Sequence, residues 1–242
     1  MLQEKREHLV EIYQKWAIEL SNVVLLDNHE TYSHPYYLHI PDNWFDSKYR
    51  LLIVGEEGYG EKQFDTSIAD AQAFNRDYLK SQLGLPNPRN FTRSSSAFWR
   101  RIRVIARSLE GTPFSMTWTN LDKIHRSGRG NCKLRKSDRV ALHTTPIKIL
   151  SEEINILQPT HVIYFGWYGI SLESELPEVY KILYPAGSRD NSMWKGGEIN
   201  PIKINNVCHV FTYHPNWGQR IKNYKNEIGY EEYVIEKIKE TL

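Results

Sequence analysis

Four short apolar segments recur along the chain, each bounded by polar or turn-forming residues. Three are nearly unbroken apolar runs, typical of strands buried on both faces of a parallel sheet, and one alternates apolar with polar positions. Each apolar run ends at a glycine or at a polar residue, where the chain leaves the sheet. The predicted strands are residues 50–54, 114–119, 161–165 and 207–213.

Between these strands, apolar residues repeat every three or four positions, which predicts amphipathic helices. The predicted helices are residues 3–24, about 68–82, the segment after Ser94–Ser96, 144–157, about 169–183, and 221–242. Residues 184–206 lack such a pattern and are predicted to form a polar loop. Strands separated by helices pair in parallel through right-handed crossovers. We therefore predict one three-layer α/β/α domain with a central, mostly parallel sheet of about four strands, and residues 1–48 as a helix and arm packed on it.

Composition narrows the class of protein. The net charge of +2 argues neither for nor against nucleic acid, so local clusters of charge must decide. The two cysteines, Cys132 and Cys208, are too few for a disulfide framework or a four-thiolate metal cluster, and no two histidines have the spacing of metal ligands. The charged N-terminus and the absence of a long apolar run predict a cytoplasmic protein without a membrane partner.

Polar side chains follow three of the four predicted strands. Because the carboxyl ends of parallel strands meet at one edge of a sheet, these side chains are expected to line one pocket. A carboxylate, an amide and an imidazole would then converge, which suits recognition of a nucleobase and hydrolysis of its bond to a sugar. The candidate residues are Gly55, Glu56, Glu57, Tyr59, Asn120, Lys123, His214 and Asn216.

A basic segment follows the second predicted strand. Residues 123–139 contain seven Lys or Arg against one Asp, with Gly128 and Gly130 between them. A solvated surface would explain such a run, but flexible positive charge also suits contact with phosphates. Lys123, Arg126 and Arg129 are therefore candidate DNA contacts.

These segments resemble the uracil-DNA glycosylase superfamily. The strand and GEEGY of residues 55–59 are similar to its first motif, G-x-[D/E/N/A]-P-[Y/G], and HPN of residues 214–216 is similar to its His-Pro-Ser motif. Residues 119–123 (TNLDK) resemble its strand-end Asn, and residues 95–99 (SSAFW) resemble its loop-to-helix Phe-Trp segment. Residues 150–166 resemble its helix–strand signature LxxEIxxLxPTHVIxFG.

The resemblance implies a base-flipping DNA glycosylase without a cofactor or metal, and it implies a role for each matching residue. Asn120 would bind the flipped base, and His214 would stabilise the departing base anion. Glu57 would activate water, and Tyr59 would screen against the thymine methyl. The implied base-stacking residue is Phe74, at a longer spacing than usual. The implied DNA contacts are Ser94, Ser95, Ser96 and Asn216. Trp217 would insert into the DNA double helix and hold the flipped base out.

Three departures from the family pattern leave alternatives open. Gly58 stands where the family has proline, and Glu57 is one methylene longer than the usual Asp. Glu56 alternatively matches the Glu of the G-E-x-P-G subfamilies and would then carry the catalytic role. Those subfamilies often hold an iron–sulfur cluster on four cysteines, which two cysteines exclude.

Three functions remain in competition at this point. The first is hydrolysis of the N-glycosidic bond of uracil or a related damaged base. The second is nucleic-acid binding without catalysis on the same fold, favoured by the altered first motif. The third is a nucleotide enzyme in which GEEGYG cradles phosphates, which the two adjacent acids disfavour.

Overall fold

A computed structural model describes residues 1–24, 33, 35–55, 67–120, 123–124, 145–165, 202–212 and 230–240. Five strands form one central sheet in this part of the chain. Four of them correspond to the four predicted strands, within one or two residues at their ends. The strands are β1 (Tyr49–Gly55), β2 (Phe114–Asn120), β3 (His161–Phe165), β4 (Ile202–Ile204) and β5 (Val207–Thr212).

The strand order is β2-β1-β3-β5-β4. All the pairings of β1, β2, β3 and β5 are parallel, and only β4 runs antiparallel, against β5. The prediction of a mostly parallel sheet in a three-layer α/β/α fold is confirmed, with five strands rather than about four. At residues 202–204 this strand corrects the loop predicted at 184–206, of which residues 184–201 lie outside the described residues. Asn205 and Asn206, with φ of 49° and 66°, form the two-residue turn that joins β4 to β5.

Five helices accompany the sheet in the described residues, and they agree with the predicted helices that fall there. Ser67 and Ser96 each accept a hydrogen bond from a backbone N–H of the first turn and so begin α2 and α3. The predicted helix at 169–183 lies outside the described residues. The helices are α1 (Leu2–Val24), α2 (Ile68–Leu83), α3 (Ala97–Ser108), α4 (Thr145–Leu157) and α5 (Tyr230–Glu240).

Alternating side chains of the sheet feed two separate cores. Leu51 and Ile53 of β1 pack with α3 and α5 on one face. Leu52 and Val54 of the same strand pack with α1 and α4 on the other. Side chains of a strand alternate between the two faces of the sheet, so residues two positions apart lie on the same face. This alternation puts Asn120 and Thr119 on opposite faces at the end of β2.

An irregular arm, residues 35–47, fills the space between α1, α2 and β2. Its backbone carbonyls accept hydrogen bonds from side chains of all three, which satisfies buried groups that have no strand or helix partner. Trp44 of the arm donates its indole N–H to the Leu157 carbonyl at the end of α4, at 2.7 Å. The donors to the arm are Arg6 to Ile40, Gln72 to Leu38, Asn75 to Tyr37 and Thr117 to His39. No helix among the described ranges is long and apolar enough to cross a membrane.

Candidate functional site at the carboxyl ends of the central strands

Gly55 and Asn120 are the last residues of β1 and β2, and they face each other in the register of the sheet. The Asn120 side chain lies so close to Gly55 that a Cβ atom there would meet its Oδ1 at 2.5 Å. Real Cβ atoms do not approach an oxygen this closely, so only glycine fits beside Asn120. The glycine that ends the apolar run is therefore required by the amide of the neighbouring strand.

The amide of Asn120 has a defined orientation. Its Oδ1 accepts a hydrogen bond of 3.2 Å from the indole Nε1 of Trp118, two residues earlier on the same face. An indole N–H can only donate, so the amide atom that faces it must be the oxygen. The Nδ2 group then points elsewhere, and although it is buried it has no hydrogen-bond partner among the described residues.

This residue is only 2% exposed, so its unpartnered N–H groups carry a cost. A buried donor without a partner typically costs about 1–3 kcal/mol. The oxygen retains one lone pair after accepting from Trp118. Asn120 thus offers a donor and an acceptor side by side, at a strand end, on the α3 face of the sheet.

Trp118 is itself held by aromatic neighbours. Its ring meets Tyr36 edge-on at 4.7 Å and Trp99 edge-on at 5.0 Å between ring centroids, with Tyr78 at 5.9 Å. Edge-to-face pairs of this kind are favourable beyond the area that they bury. The cluster fixes the indole, and the indole fixes the amide.

Phe98, in the first turn of α3, brings an aromatic ring to these strand ends. Two of its ring carbons would be 3.5 Å from a Cβ at Gly55. The same ring packs edge-on against Phe165, the last residue of β3, at 5.4 Å. Phe98 is only partly buried. An amide beside an aromatic ring is a suitable surface for a flat heterocycle.

Phe74, the predicted stacking residue, lies in the same group of aromatic rings, joined to Trp118 and Trp99 through Tyr78. Its ring is stacked on Tyr78 at 6.2 Å and meets Phe91 edge-on at 5.0 Å. The Arg89 guanidinium lies over the Phe74 ring, 5.9 Å from its centroid. Of the two phenylalanines, Phe98 is the one whose ring lies nearest to the position of a Cβ at Gly55.

Ser94, Ser95 and Ser96 form the approach to α3. Ser96 caps the helix by accepting from the Trp99 backbone N–H at 3.4 Å, and the Ser94 hydroxyl accepts from the Ser96 N–H at 3.2 Å. Ser95 and Ser96 are exposed. These serines lie two to four residues before Phe98, so any phosphate that they contact would be adjacent to the strand ends.

Lys123 occupies the opposite side of the sheet from Asn120 and is fully buried. Its ammonium donates to Thr119 and, at 2.5 Å, to Glu153 of α4. Desolvation lowers the pKa of Lys123 and raises the pKa of Glu153, while the attraction between them works against both shifts. Lys123 is therefore not on a surface, and its expected contact with phosphate is corrected: the side chain is an internal tie between β2 and α4.

The remaining predicted site residues lie outside the described residues. These are Glu56, Glu57 and Tyr59 after β1, Arg126 and Arg129 of the basic segment, and His214, Asn216 and Trp217 after β5. Both described strands that precede them, β1 and β5, end at the same edge of the sheet as β2, because the strands are parallel.

No group of three or more His, Cys, Asp or Glu residues in the described part of the chain could hold a metal ion. The thiol of Cys208, on β5, is buried. No protein-family model matches the chain, and no curated protein matches it.

Two site residues, Trp118 and Phe98, were not predicted from the sequence. The signal for Trp118 is its position two residues before Asn120 in a strand, which places both on one face. Phe98 stood in the sequence as part of a Phe-Trp pair, but nothing local indicates which of the two faces the sheet end and which faces the core.

Proposed function

We propose that the protein is a DNA glycosylase that hydrolyses the N-glycosidic bond of uracil or a related damaged base after flipping it out of the helix. The observation that carries this proposal is the buried amide of Asn120, oriented by Trp118, with a donor and an acceptor unused. A pyrimidine such as uracil presents a carbonyl acceptor next to an N–H donor, which is the complementary pattern.

The neighbours of Asn120 support this choice. The missing Cβ at Gly55 makes room for the Asn120 amide itself, and the partly buried ring of Phe98 beside it offers a surface on which a base could stack. A flipped base that fills this place would satisfy the unpartnered Nδ2 group and remove its burial cost.

The resemblance supplies the hydrolytic groups. His214 would stabilise the negative charge of the leaving base, and Glu57 or Glu56 would orient the attacking water or offset the positive charge on the sugar. No metal or organic cofactor takes part in this scheme. Replacing each acid separately, as Glu56→Gln and Glu57→Gln, identifies the catalytic one as the variant whose excision rate falls by about 10² or more.

The direct test is excision from oligonucleotides that contain uracil, hypoxanthine, xanthine or hydroxymethyluracil, followed by alkali to cleave abasic sites. We expect strand cleavage with at least one of them. Asn120→Asp replaces the unpartnered donor by an acceptor, and we expect it to lower the excision rate by at least about 10²-fold. Asn90→Asp makes the same chemical change at an exposed position and should leave the rate unchanged.

An absence of abasic product across all four substrates would reject the enzymatic proposal. DNA binding that persists under those conditions, with a steep dependence on salt, would instead support the binding module without catalysis.

A further inference from the structure

The exposed side of α3 carries a row of arginines. Arg100, Arg103 and Arg107 are spaced i, i+3 and i+7, which places them on one face of the helix. The opposite face is buried by Trp99, Ile102 and Ile105. Arg93 precedes the helix on the serine segment. We name Arg93, Arg100, Arg103 and Arg107 the arginine stripe.

One acidic residue, the exposed Glu110, adjoins these arginines in the sequence, and it forms no ion pair with them in the described structure. Residues 86–109 contain six arginines and no Asp or Glu. No carboxylate among the described residues lies within 4.0 Å of a stripe guanidinium. Burial first, and then the positive charges of Arg93, Arg107 and Arg100, lower the pKa of Arg103.

This arrangement opposes the stability of the helix. Like charges at i, i+3 and i, i+4 repel along a helix surface, each pair by a few tenths of a kcal/mol. The positive end of the helix dipole disfavours cations near the N-terminus, where Arg100 lies, and α3 has no acidic residue in its first turn, whereas α1 and α2 have Glu4 and Asp70. A bound polyanion would remove both costs.

Two members of the stripe have a structural role that explains their presence without a ligand. Arg103 donates to the Ser94 carbonyl at 2.9 Å and so holds the serine segment against α3. The Arg93 guanidinium lies over Gly84 at the C-terminus of α2, where positive charge is favourable. Arg100 and Arg107 are exposed, and no hydrogen bond joins either side chain to the described residues.

The stripe begins at the candidate site. Phe98, whose ring lies beside the end of β1, is two residues before Arg100 on the same helix. Arg100 and Arg107 are seven positions apart, which corresponds to about 10 Å along the helix at a rise of 1.5 Å per residue. That length covers about three phosphates of one strand at an axial spacing of about 3.4 Å.

We propose that the arginine stripe binds the phosphate backbone of the DNA strand beside the flipped base, with Arg100 and Arg107 as the residues whose main role is binding. This inference deepens the proposed function and rests on it for the identity of the polyanion as DNA. In this arrangement the helix α3 binds the DNA strand directly, in addition to any contact made by the basic segment 123–139.

The test is the affinity of the full-length protein for a fluorescent, undamaged 20-nucleotide DNA, single-stranded and duplex, between 50 and 200 mM NaCl. We expect Arg100→Gln/Arg107→Gln to weaken binding about tenfold and to reduce the slope of log K against log salt by about 2, roughly one for each arginine that no longer neutralises a phosphate. Lys15→Gln/Lys203→Gln removes the same charge from exposed positions on α1 and β4 and should change neither quantity.

Stability gives an independent readout. The double arginine variant removes repulsion within α3 but also the favourable charge of Arg107 in the last turn, so its free energy of unfolding should stay within about 1 kcal/mol of the wild-type value while DNA binding weakens. Loss of binding accompanied by unfolding would overturn the assignment, as would a salt slope equal to that of the wild type. Equal DNA affinity combined with weaker binding to phosphatidylserine vesicles would overturn it in favour of a membrane surface.

The two proposals fail separately. If the wild type excises a base and Asn120→Asp abolishes excision, but the salt slope of the arginine variant is unchanged, the stripe is wrong and the function stands. If the slope falls as expected while no substrate is cleaved, the stripe stands and the catalytic proposal is wrong.

Discussion

A single missing side chain sets the geometry of the candidate site. Gly55→Ala would place a methyl group 2.5 Å from Asn120 Oδ1 and 3.5 Å from the Phe98 ring. Because Asn120 is buried and bonded to Trp118, it has little room to move, and the expected cost is about 1–3 kcal/mol in the free energy of unfolding. The rate of base excision and the affinity for DNA that carries the substrate base should also fall, since the Asn120 amide must shift. Urea unfolding and the oligonucleotide assay measure the two effects.

Gly111 provides the matched control. It has φ of +82°, and a Cβ there would meet nothing within 4 Å. Gly111→Ala should therefore lower the free energy of unfolding by about 1 kcal/mol through backbone strain alone and leave the excision rate unchanged. Equal loss of activity in the two variants would mean that Gly55 acts through stability and not through Asn120.

Between secondary structure elements, the strongest polar connection described is the buried network at the end of β2. Lys123 joins Thr119 to Glu153 of α4, and Tyr13 of α1 donates to the other Glu153 oxygen at 2.6 Å. Removing one partner leaves a buried charge without compensation, which typically costs about 3–5 kcal/mol. We therefore expect Lys123→Met to lower the free energy of unfolding by that amount.

The double variant Lys123→Met/Glu153→Leu is the control for the single one. It replaces the ion pair by apolar side chains of similar size, and such replacements are often neutral or stabilising. Urea unfolding should show that the double variant recovers part of the stability lost by Lys123→Met, and not all of it, because the buried Tyr13 hydroxyl loses Glu153 as its acceptor. A loss below about 1 kcal/mol in the single variant, or no recovery in the double, would contradict the role of Lys123 as an internal tie.

The strands and helices were largely predictable because their signals are local. The apolar runs at 161–165 and 207–213 gave β3 and β5 directly, since a strand covered on both faces must be mostly apolar. The hairpin of β4 was missed, although Asn205-Asn206 between short apolar alternations is a known turn signal. Three residues are simply too few for a periodic pattern to stand out.

The site was less predictable because its decisive facts are contacts between distant residues. Asn120 could be chosen from its place at a strand end, but its dependence on Gly55 follows only from the pairing of β1 with β2. Lys123 was grouped with the basic segment that follows it, whereas its partner Glu153 lies 30 residues away on α4. Sequence proximity gave the wrong surroundings for a residue whose neighbours are set by the packing of layers.

The stability of the molecule as a whole should depend on pH because buried histidines lie in its sheet. Burial lowers the pKa of His161 and of His209 from about 6.5 to about 4, since a charged imidazole is poorly solvated there. His209 is also in contact with the Tyr164 hydroxyl at 3.0 Å, inside the core. Between pH 6.5 and pH 4 the unfolded chain binds protons that the folded chain does not, so acid favours unfolding.

We therefore expect the contribution of these two histidines to the free energy of unfolding to be constant above about pH 6.5. As the pH drops towards 4, the free energy of unfolding should fall by at most about 3 kcal/mol for each of them. His39, whose pKa is also lowered to about 4, adds in the same direction. Urea unfolding at pH 7.5, 6.5, 5.5 and 4.5 measures the slope. His209→Gln keeps a polar group beside Tyr164 and removes one titrating group, so it should reduce the slope of unfolding free energy against pH by roughly 1.4 kcal/mol per pH unit near pH 5. His8→Gln, at an exposed position of α1, should leave this slope unchanged. The His209 side chain is 3% exposed and has no carboxylate partner among the described residues, so we expect it to be neutral in the folded protein. An unchanged slope in His209→Gln would contradict this expectation.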